Sequence, residues 1–197
     1  MPILETQHGP LSQAIVPGCL YLGVFWQGPQ GPQKVTASAL EEWNLPIATV
    51  IEIAKWNLRR KTPASGWTEV DTIGGLHTYF AKDGNASSRA LCLEDLIRPW
   101  PFEGVLVSCP TRDQLYVLPL NYLEVLQAIR IMVLAGNVSR LEGSIPLSNQ
   151  LFWYDGTTWE QIQIRYREEQ VEIQPSSRFM DALERITAVN MMTAAEA

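Results

Sequence analysis

The clearest hydrophobic pattern in the chain lies in residues 104–120, where two apolar runs of strand length enclose a short polar stretch. That stretch, residues 110–113, reads Pro-Thr-Arg-Asp. Apolar runs of this length beside turn residues are typical of strands that are buried on both faces. The pattern therefore predicts a buried β-hairpin that carries Arg112 and Asp113 at its tip.

Other strands follow from apolar runs and from alternation of apolar and polar residues. The segments that show these patterns are residues 19–26, 67–70, 76–81, 151–154, 157–159, 162–166 and 171–173. Asp155-Gly156 separates two of them and predicts a two-residue type I′ hairpin turn.

Helical spacing of apolar residues, together with capping residues, predicts helices separated by proline and glycine. These helices cover residues 36–43, 47–60, 87–97, 121–135 and 176–189, and Gly136 is the expected stop of the fourth. The cap is Thr36 or Ser38 for the first, Ser87 or Ser88 for the third and Ser176 or Ser177 for the last. The fold class predicted is α+β, a largely antiparallel sheet with about four packed helices. No linker interrupts the pattern, so residues 1–197 are predicted to form a single domain, with 1–17 and 190–197 loosely ordered.

Composition and charge exclude several classes of function. Charged residues make up only 18% of the chain, which favours burial of part of the surface in an assembly. The net charge is −6 and no basic face is visible, so nucleic-acid binding is not expected. No apolar run has the length of a membrane span, and the N-terminus lacks a signal-peptide pattern. We therefore expect a cytoplasmic protein that binds neither membranes nor nucleic acids.

The sequence offers little chemistry for catalysis. Its two histidines and three cysteines lie at no chelating spacing, and no phosphate-binding glycine pattern occurs. Cys92 and Arg98 have the spacing of a cysteine phosphatase loop, but Glu94 and Asp95 between them would repel a phosphate. Cys109 lies in an apolar run that favours an inert thiol. No metal, cofactor or catalytic residue is predicted.

Four residues are candidates for binding. Arg112 is able to bind a carboxylate or phosphate bidentately, or to pair locally while Asp113 accepts turn amides. Asn57 lies on the apolar face of its helix and needs partners, which a neighbouring backbone or a ligand would supply. Trp153 lies in an aromatic strand whose alternate residues face opposite ways, so it either faces outward or packs under a loop.

Several segments resemble the YtpQ-like bacterial proteins of unknown function. They include Leu20-Tyr-Leu-Gly-Val-Phe25, Ala54-Lys-Trp-Asn-Leu-Arg59, Val107-Ser-Cys-Pro-Thr-Arg-Asp113 and Leu151-Phe-Trp-Tyr-Asp-Gly156. The resemblance implies a compact, cytosolic α+β domain without an established activity. It also implies that Asn57, Arg112 and Asp113 belong to one recurring set and lie close together.

Three hypotheses of function follow. The first is a non-enzymatic accessory, adaptor or immunity-type protein that acts by binding a protein partner or by self-association. The second is a small-molecule or anion-binding domain centred on Arg112, with Asn57 as its neighbour. The third is an enzyme of unrecognised type that uses Cys109 or Asp113. An apolar surface favours the first, a shared pocket the second and an accessible thiol the third.

Overall fold

A computed structural model of the chain describes residues 1–63, 66–69, 75–121, 125–141, 145–167 and 170–195. Within these residues the strands are β1 (Pro2–Glu5), β2 (Gln13–Val16), β3 (Leu20–Gly28), β4 (Gly31–Lys34), β5 (Trp67–Glu69), β6 (His77–Phe80), β7 (Val105–Thr111), β8 (Gln114–Pro119), β9 (Leu151–Tyr154), β10 (Trp159–Arg167) and β11 (Gln170–Gln174). The helices are α1 (Ala37–Trp43), α2 (Ile47–Arg60), a 3₁₀ helix (Ser87–Cys92), α3 (Leu93–Leu96), α4 (Val125–Leu141) and α5 (Ser177–Ala195). The fold is α+β as predicted, and its antiparallel sheets dominate over the five α-helices of the described residues.

The strands form two sheets. The larger has the order β11-β10-β9-β7-β8-β6-β5, and the smaller has the order β1-β3-β2, with β4 also paired to β3. Neighbouring strands pair antiparallel throughout the described residues. Antiparallel neighbours need only short connections, which suits a chain whose turn residues separate short apolar runs.

Strand β7 lies at the centre of the large sheet and is buried along its whole length. Its residues alternate between two cores, because successive side chains of a strand point to opposite faces. Val105, Val107 and Cys109 face the core beneath the 3₁₀ helix and the small sheet. Leu106 faces the core beneath α4 and α5. The hairpin predicted over residues 104–120 is thus confirmed as a buried element. It consists of β7 and β8, with residues 112–113 at its turn.

Several helix predictions are confirmed with their caps. Helix α2 has the predicted span, and it buries Val50, Ile51, Ala54 and Leu58 on one face. The hydroxyl of Thr36 accepts a hydrogen bond from the amide of Ala39 (3.3 Å) at the start of α1. Ser176 likewise accepts from the amide of Phe179 (3.1 Å) at the start of α5. Each cap satisfies an amide that the first turn of a helix leaves unpaired.

Other local predictions are corrected. Gly136 lies inside α4 and is not a helix stop, because α4 continues to Leu141. The helix packs against β7, and this contact stabilises its last turns. The predicted helix over 87–97 is a 3₁₀ helix followed by one turn of α-helix. The connection between β9 and β10 is a four-residue turn, residues 155–158, and not the predicted two-residue turn. The Asp155 carboxylate stabilises it by accepting hydrogen bonds from the amides of residues 157 and 158.

The chain ends are more regular than predicted. Strands β1 and β2 lie within residues 1–17, and both pair with β3, so that segment is held in a sheet. Helix α5 continues to Ala195, beyond the predicted fraying point at residue 190. Residues 70, 122–124 and 196–197, which fall in predicted segments, lie outside the described residues.

Candidate functional site

The hairpin tip contacts two other segments of the chain, residues 84–87 and residue 145. The Asp113 carboxylate accepts a hydrogen bond from the amide of Gly84 (3.0 Å). The Arg112 amide donates to the carbonyl of Ile145 (3.0 Å), and its carbonyl accepts from the amide of Ser87 (3.2 Å). The Asp113 carboxylate therefore stabilises a neighbouring turn, at residues 82–86, which the sequence did not place beside it. The backbone of Arg112 is fixed on both sides, so its side chain starts from a rigid position.

The side chain of Arg112 lines a pocket of about 220 Å³, which we call the Arg112 pocket. Its other polar side chains come from the small sheet and the turn after β1, and they include Glu5, His8 and Lys34. Lys34 donates to the Glu5 carboxylate (2.6 Å). The Nε atom of Arg112 is buried and has no hydrogen-bond partner among the described residues. The pocket thus holds more basic than acidic side chains.

Asn57 lies elsewhere. It is half-buried on α2 and lines a second cavity of about 410 Å³. None of the described residues lines both this cavity and the Arg112 pocket. The structure therefore places Asn57 and Arg112 in different cavities. The family resemblance implied that the two residues lie close together, and this expectation is not met. Asp113 stays beside Arg112 because the two are neighbours in one turn.

The second cavity, which we call the α1–α2 groove, lies between these helices and β3. Its lining is mostly apolar and comprises Met1, Val24, Phe25, Trp26, Gln27, Val35, Trp43, Leu45, Val50, Ile53, Ala54, Asn57 and Lys61. Trp26 and Trp43 pack edge to face, with ring centroids 5.5 Å apart. Leu45 and Ile53 are 36% and 47% exposed at its rim. The groove therefore presents apolar surface to solvent.

The neighbouring surface of α2 extends this apolar character. Trp56 is 52% exposed, and the guanidinium of Arg60 lies over its ring at 4.6 Å. Ile53 and Trp56 are three residues apart, so they share a helix face that is separate from the buried one. In the sequence, two large apolar residues on the outer face of a predicted helix indicate a contact surface. Ile53 and Trp56 were nevertheless not among the predicted site residues.

Trp153 is not a surface residue. It is 2% exposed, and its indole nitrogen donates to the carbonyl of Glu103 (2.8 Å). Phe179 of α5 packs edge to face against its ring, and the guanidinium of Arg178 lies 4.6 Å from the ring centre. Its neighbour Phe152 is fully buried. The prediction that this aromatic strand offers an outward contact through Trp153 is wrong, because α5 covers that face.

The thiols in the core are poorly suited to nucleophilic chemistry. Burial raises the pKa of the Cys109 thiol to about 12 and that of Cys92 to about 11. Both residues are buried, at 0% and 2% exposure. A catalytic cysteine needs an accessible thiolate with a lowered pKa, which is the opposite environment.

A third cavity, of about 190 Å³, lies between α2, α3 and the β9–β10 turn. Its charged and phenolic groups are already matched within the protein. Arg59 donates to Asp95 (2.5 Å), and the Tyr154 hydroxyl lies 2.6 Å from Glu94. Burial, and then the hydrogen bond to Glu94, raise the pKa of Tyr154. These internal pairs leave the cavity without an evident charge preference.

The described part of the chain holds neither a cluster of metal ligands nor a membrane-spanning helix. No group of three or more His, Cys, Asp or Glu side chains there is arranged to hold a metal ion. No helix in the same residues has the length and apolar character required to cross a bilayer. Comparison of the chain with protein-family profiles, curated proteins and solved structures found no match. The YtpQ-like resemblance therefore stays a prediction.

Proposed function

We propose that the protein is a non-enzymatic, cytoplasmic interaction protein that binds a protein partner through the α1–α2 groove. The observation that carries this proposal is the apolar lining of the groove together with the exposure of Leu45 and Ile53 at its rim. Contiguous apolar surface beside a concave site is typical of a protein contact. The core of an interface gains its free energy from such residues when a partner covers them.

Ile53 and Trp56 place apolar surface on the outer face of α2. Both lie on the solvent side of α2, where a polar residue would serve the helix equally well. Because Ile53 is 47% exposed, covering it removes about half of an isoleucine side chain from water, which stabilises a complex by roughly 0.7–1.5 kcal/mol. Aromatic residues with a neighbouring guanidinium are also frequent at the centre of interfaces. The outer face of α2 therefore supports the proposal alongside the groove.

The test compares two variants with the wild-type protein in partner capture from the host. Ile53→Gln removes the apolar rim while keeping a good helix former. Leu134→Gln is the matched control, because Leu134 is 59% exposed on α4, away from the groove. We expect partners captured by the wild type and by Leu134→Gln to be lost with Ile53→Gln. Equal capture by all three proteins, with equal melting temperatures, would contradict the proposal.

A second candidate function is anion binding in the Arg112 pocket. The specific observation is that Arg112, Lys34 and His8 share one pocket with a single carboxylate, in a protein of net charge −6. A guanidinium with a rigid backbone is well suited to hold a carboxylate or phosphate. The buried Nε atom of Arg112, which has no partner among the described residues, supports a ligand at this point.

Titration with inorganic phosphate, followed by calorimetry and amide chemical shifts, tests this candidate. Arg112→Gln should weaken binding at least tenfold, while Arg98→Gln, at a 75% exposed arginine elsewhere, should leave it unchanged. A contact role also predicts little change in the melting temperature of Arg112→Gln. Loss of about 1–3 kcal/mol of stability, without phosphate binding by the wild type, would assign Arg112 a structural role instead.

A further inference from the structure

We infer that the segment bound by the α1–α2 groove combines large apolar side chains with a carboxylate that pairs with Lys61. This inference rests on the proposed function and names the chemistry of the partner. It follows from the distribution of charge in and around the groove.

Lys61 is the one charged side chain among the described residues that line the groove, and the amino group of Met1, which donates to the carbonyl of Phe25, adds a second positive charge there. It directly follows the end of α2 and is exposed. No carboxylate of a described residue lines the groove, and Lys61 forms no ion pair with an acidic residue in that part of the chain. One end of an apolar site thus carries a positive charge that the protein does not neutralise there.

The neighbouring cations are engaged with other groups. Arg59 is paired with Asp95, and Arg60 lies over the ring of Trp56. Lys61 is therefore the residue of the three basic positions 59–61 that is left for a partner. An acidic group on that partner would set the register of the bound segment, because charge complementarity fixes orientation as well as attraction.

The size of the groove limits the partner to a short segment. Its volume of about 410 Å³ falls at the lower end of the roughly 300–1,000 Å³ that is typical of ligand pockets. The Trp26 and Trp43 rings form one wall, and Ile53 lies at the rim. Such a site accommodates a few apolar side chains of one peptide, with the carboxylate placed at the Lys61 end.

A second copy of the chain fits less well. Its most exposed large apolar residue, Phe102, is 83% exposed and is a candidate to enter the groove of a neighbour. The same loop, however, carries Arg98, which is 75% exposed and lies 3.8 Å from its ion-pair partner Asp95, while the Glu103 carboxylate is held by Arg185 at 2.6 and 2.7 Å. Phe102 would therefore bring a cation towards Lys61, and like charges disfavour that contact.

The experiment is selection from a displayed library of random peptides with amidated or fused C-termini. Wild-type protein, Lys61→Glu, Ile53→Gln and Lys82→Glu serve as parallel targets. Lys82 is exposed and lies outside the groove, so Lys82→Glu controls for the change in net charge. The wild type and Lys82→Glu should enrich peptides that combine large apolar residues with Asp or Glu. Lys61→Glu should shift the preference to Lys or Arg.

A synthetic peptide from the selection then gives the affinity. Replacing its acidic residue by the amide should weaken binding to the wild type about five- to tenfold and have no such effect with Lys61→Glu. Fluorescence of Trp26 and Trp43 should report binding, because both rings line the groove.

The possible failures are distinguishable. If the peptides selected by the wild-type protein lack carboxylates, or if Lys61→Glu selects the same acidic peptides, the inference about Lys61 is overturned. The proposed function is still upheld in that case if Ile53→Gln no longer selects these peptides. If Ile53→Gln selects the same peptides as the wild type, or if no peptide is enriched, the proposed function fails as well. Self-association in sedimentation that Phe102→Ser abolishes would overturn the inference in favour of a second copy.

Discussion

At the residue scale, the buried Arg89 organises the segments around it. It is 1% exposed, and its guanidinium donates to the Asp83 carboxylate (2.7 and 3.2 Å) and to the Thr62 hydroxyl (3.1 Å). The guanidinium also lies 4.4 Å from the centre of the Tyr79 ring. A buried charge needs such partners, since an unpaired one carries a large desolvation cost. In the sequence Arg89 has the ordinary pattern of a polar residue near a helix start.

Asp83→Asn should destabilise the protein by about 1–3 kcal/mol, because it leaves the Arg89 charge buried with neutral acceptors only. The expected loss is below that of a fully buried pair, since the Asp83 side chain is 42% exposed. Asp95→Asn is the matched control. Its pair with Arg59 is exposed on both sides and should cost about 1 kcal/mol or less. Urea unfolding at neutral pH measures both, and equal losses would contradict the role of Arg89.

The same pair predicts a pH dependence. Burial acts to raise the pKa of Asp83, but hydrogen bonds from Arg89 and from the Asn85 amide outweigh it and lower the pKa below its usual value. A carboxyl with a lowered pKa in the folded state stabilises the protein above its unfolded value of about 3.9. That contribution is lost as the pH falls through the folded-state pKa. The stability difference between wild type and Asp83→Asn should therefore shrink below about pH 4, as urea unfolding across pH would show.

Thiol reactivity gives a further prediction at this scale. With a chromogenic disulfide reagent at neutral pH, Cys92 and Cys109 should react only on unfolding, because burial raises the pKa of each thiol and blocks access. Cys19 is partly exposed, and burial raises its pKa as well, so it should react slowly in the native protein. Cys19→Ser is the control, and it should show no native reaction. Rapid native reaction of Cys109 would instead favour the enzyme hypothesis.

At the element scale, two glycines show how packing decides the effect of a methyl group. In α4, a Cβ on Gly136 would lie 3.5 Å from the Ser108 hydroxyl and 3.7 Å from Cβ of Pro110, which are ordinary contacts. At the start of β7, Gly104 has φ +77°, and an added Cβ would overlap the backbone carbonyl of Tyr154. The first position tolerates a side chain, and the second requires glycine.

Gly136→Ala should therefore stabilise the protein by about 0.5–1 kcal/mol, because alanine loses less backbone entropy in a helix. Gly104→Ala should destabilise it by more than about 2 kcal/mol through positive φ and the backbone overlap. Thermal and urea unfolding of the two variants measure both effects. A loss of stability with Gly136→Ala would show that α4 has no room for the methyl group.

At the scale of the whole molecule, the described residues form three hydrophobic cores that share structural elements. One lies between the large sheet and helices α4 and α5, a second between the other face of that sheet and the 3₁₀ helix, and a third between α2 and the small sheet. The 3₁₀ helix contacts α2, β1, β7 and β8, so it links the second and third cores. The large sheet contributes to both the first and second.

Because the cores are linked in this way, the described elements should unfold as one cooperative unit. Far-ultraviolet circular dichroism and tryptophan fluorescence should give coincident urea transitions. The tryptophans suit this test, since Trp43 reports on the third core and Trp153 on the first. Separate transitions would show that α1, α2 and the small sheet unfold independently, and they would contradict the predicted single domain.

The sequence by itself determined the elements whose signals are local. The β7–β8 hairpin, the span of α2 and the caps at Thr36 and Ser176 follow from apolar spacing and side-chain oxygens within a few residues. Signals of this kind need no information about distant parts of the chain.

The tertiary structure decided which faces are covered and which cavities form. Trp153 is buried because α5 returns to pack on it, and Gly136 continues a helix because α4 packs on β7. The α1–α2 groove joins Trp26, Ile53 and Lys61, which no spacing in the sequence brings together. Burial depends on the elements that cover a residue, and those contacts come from segments far apart in the chain.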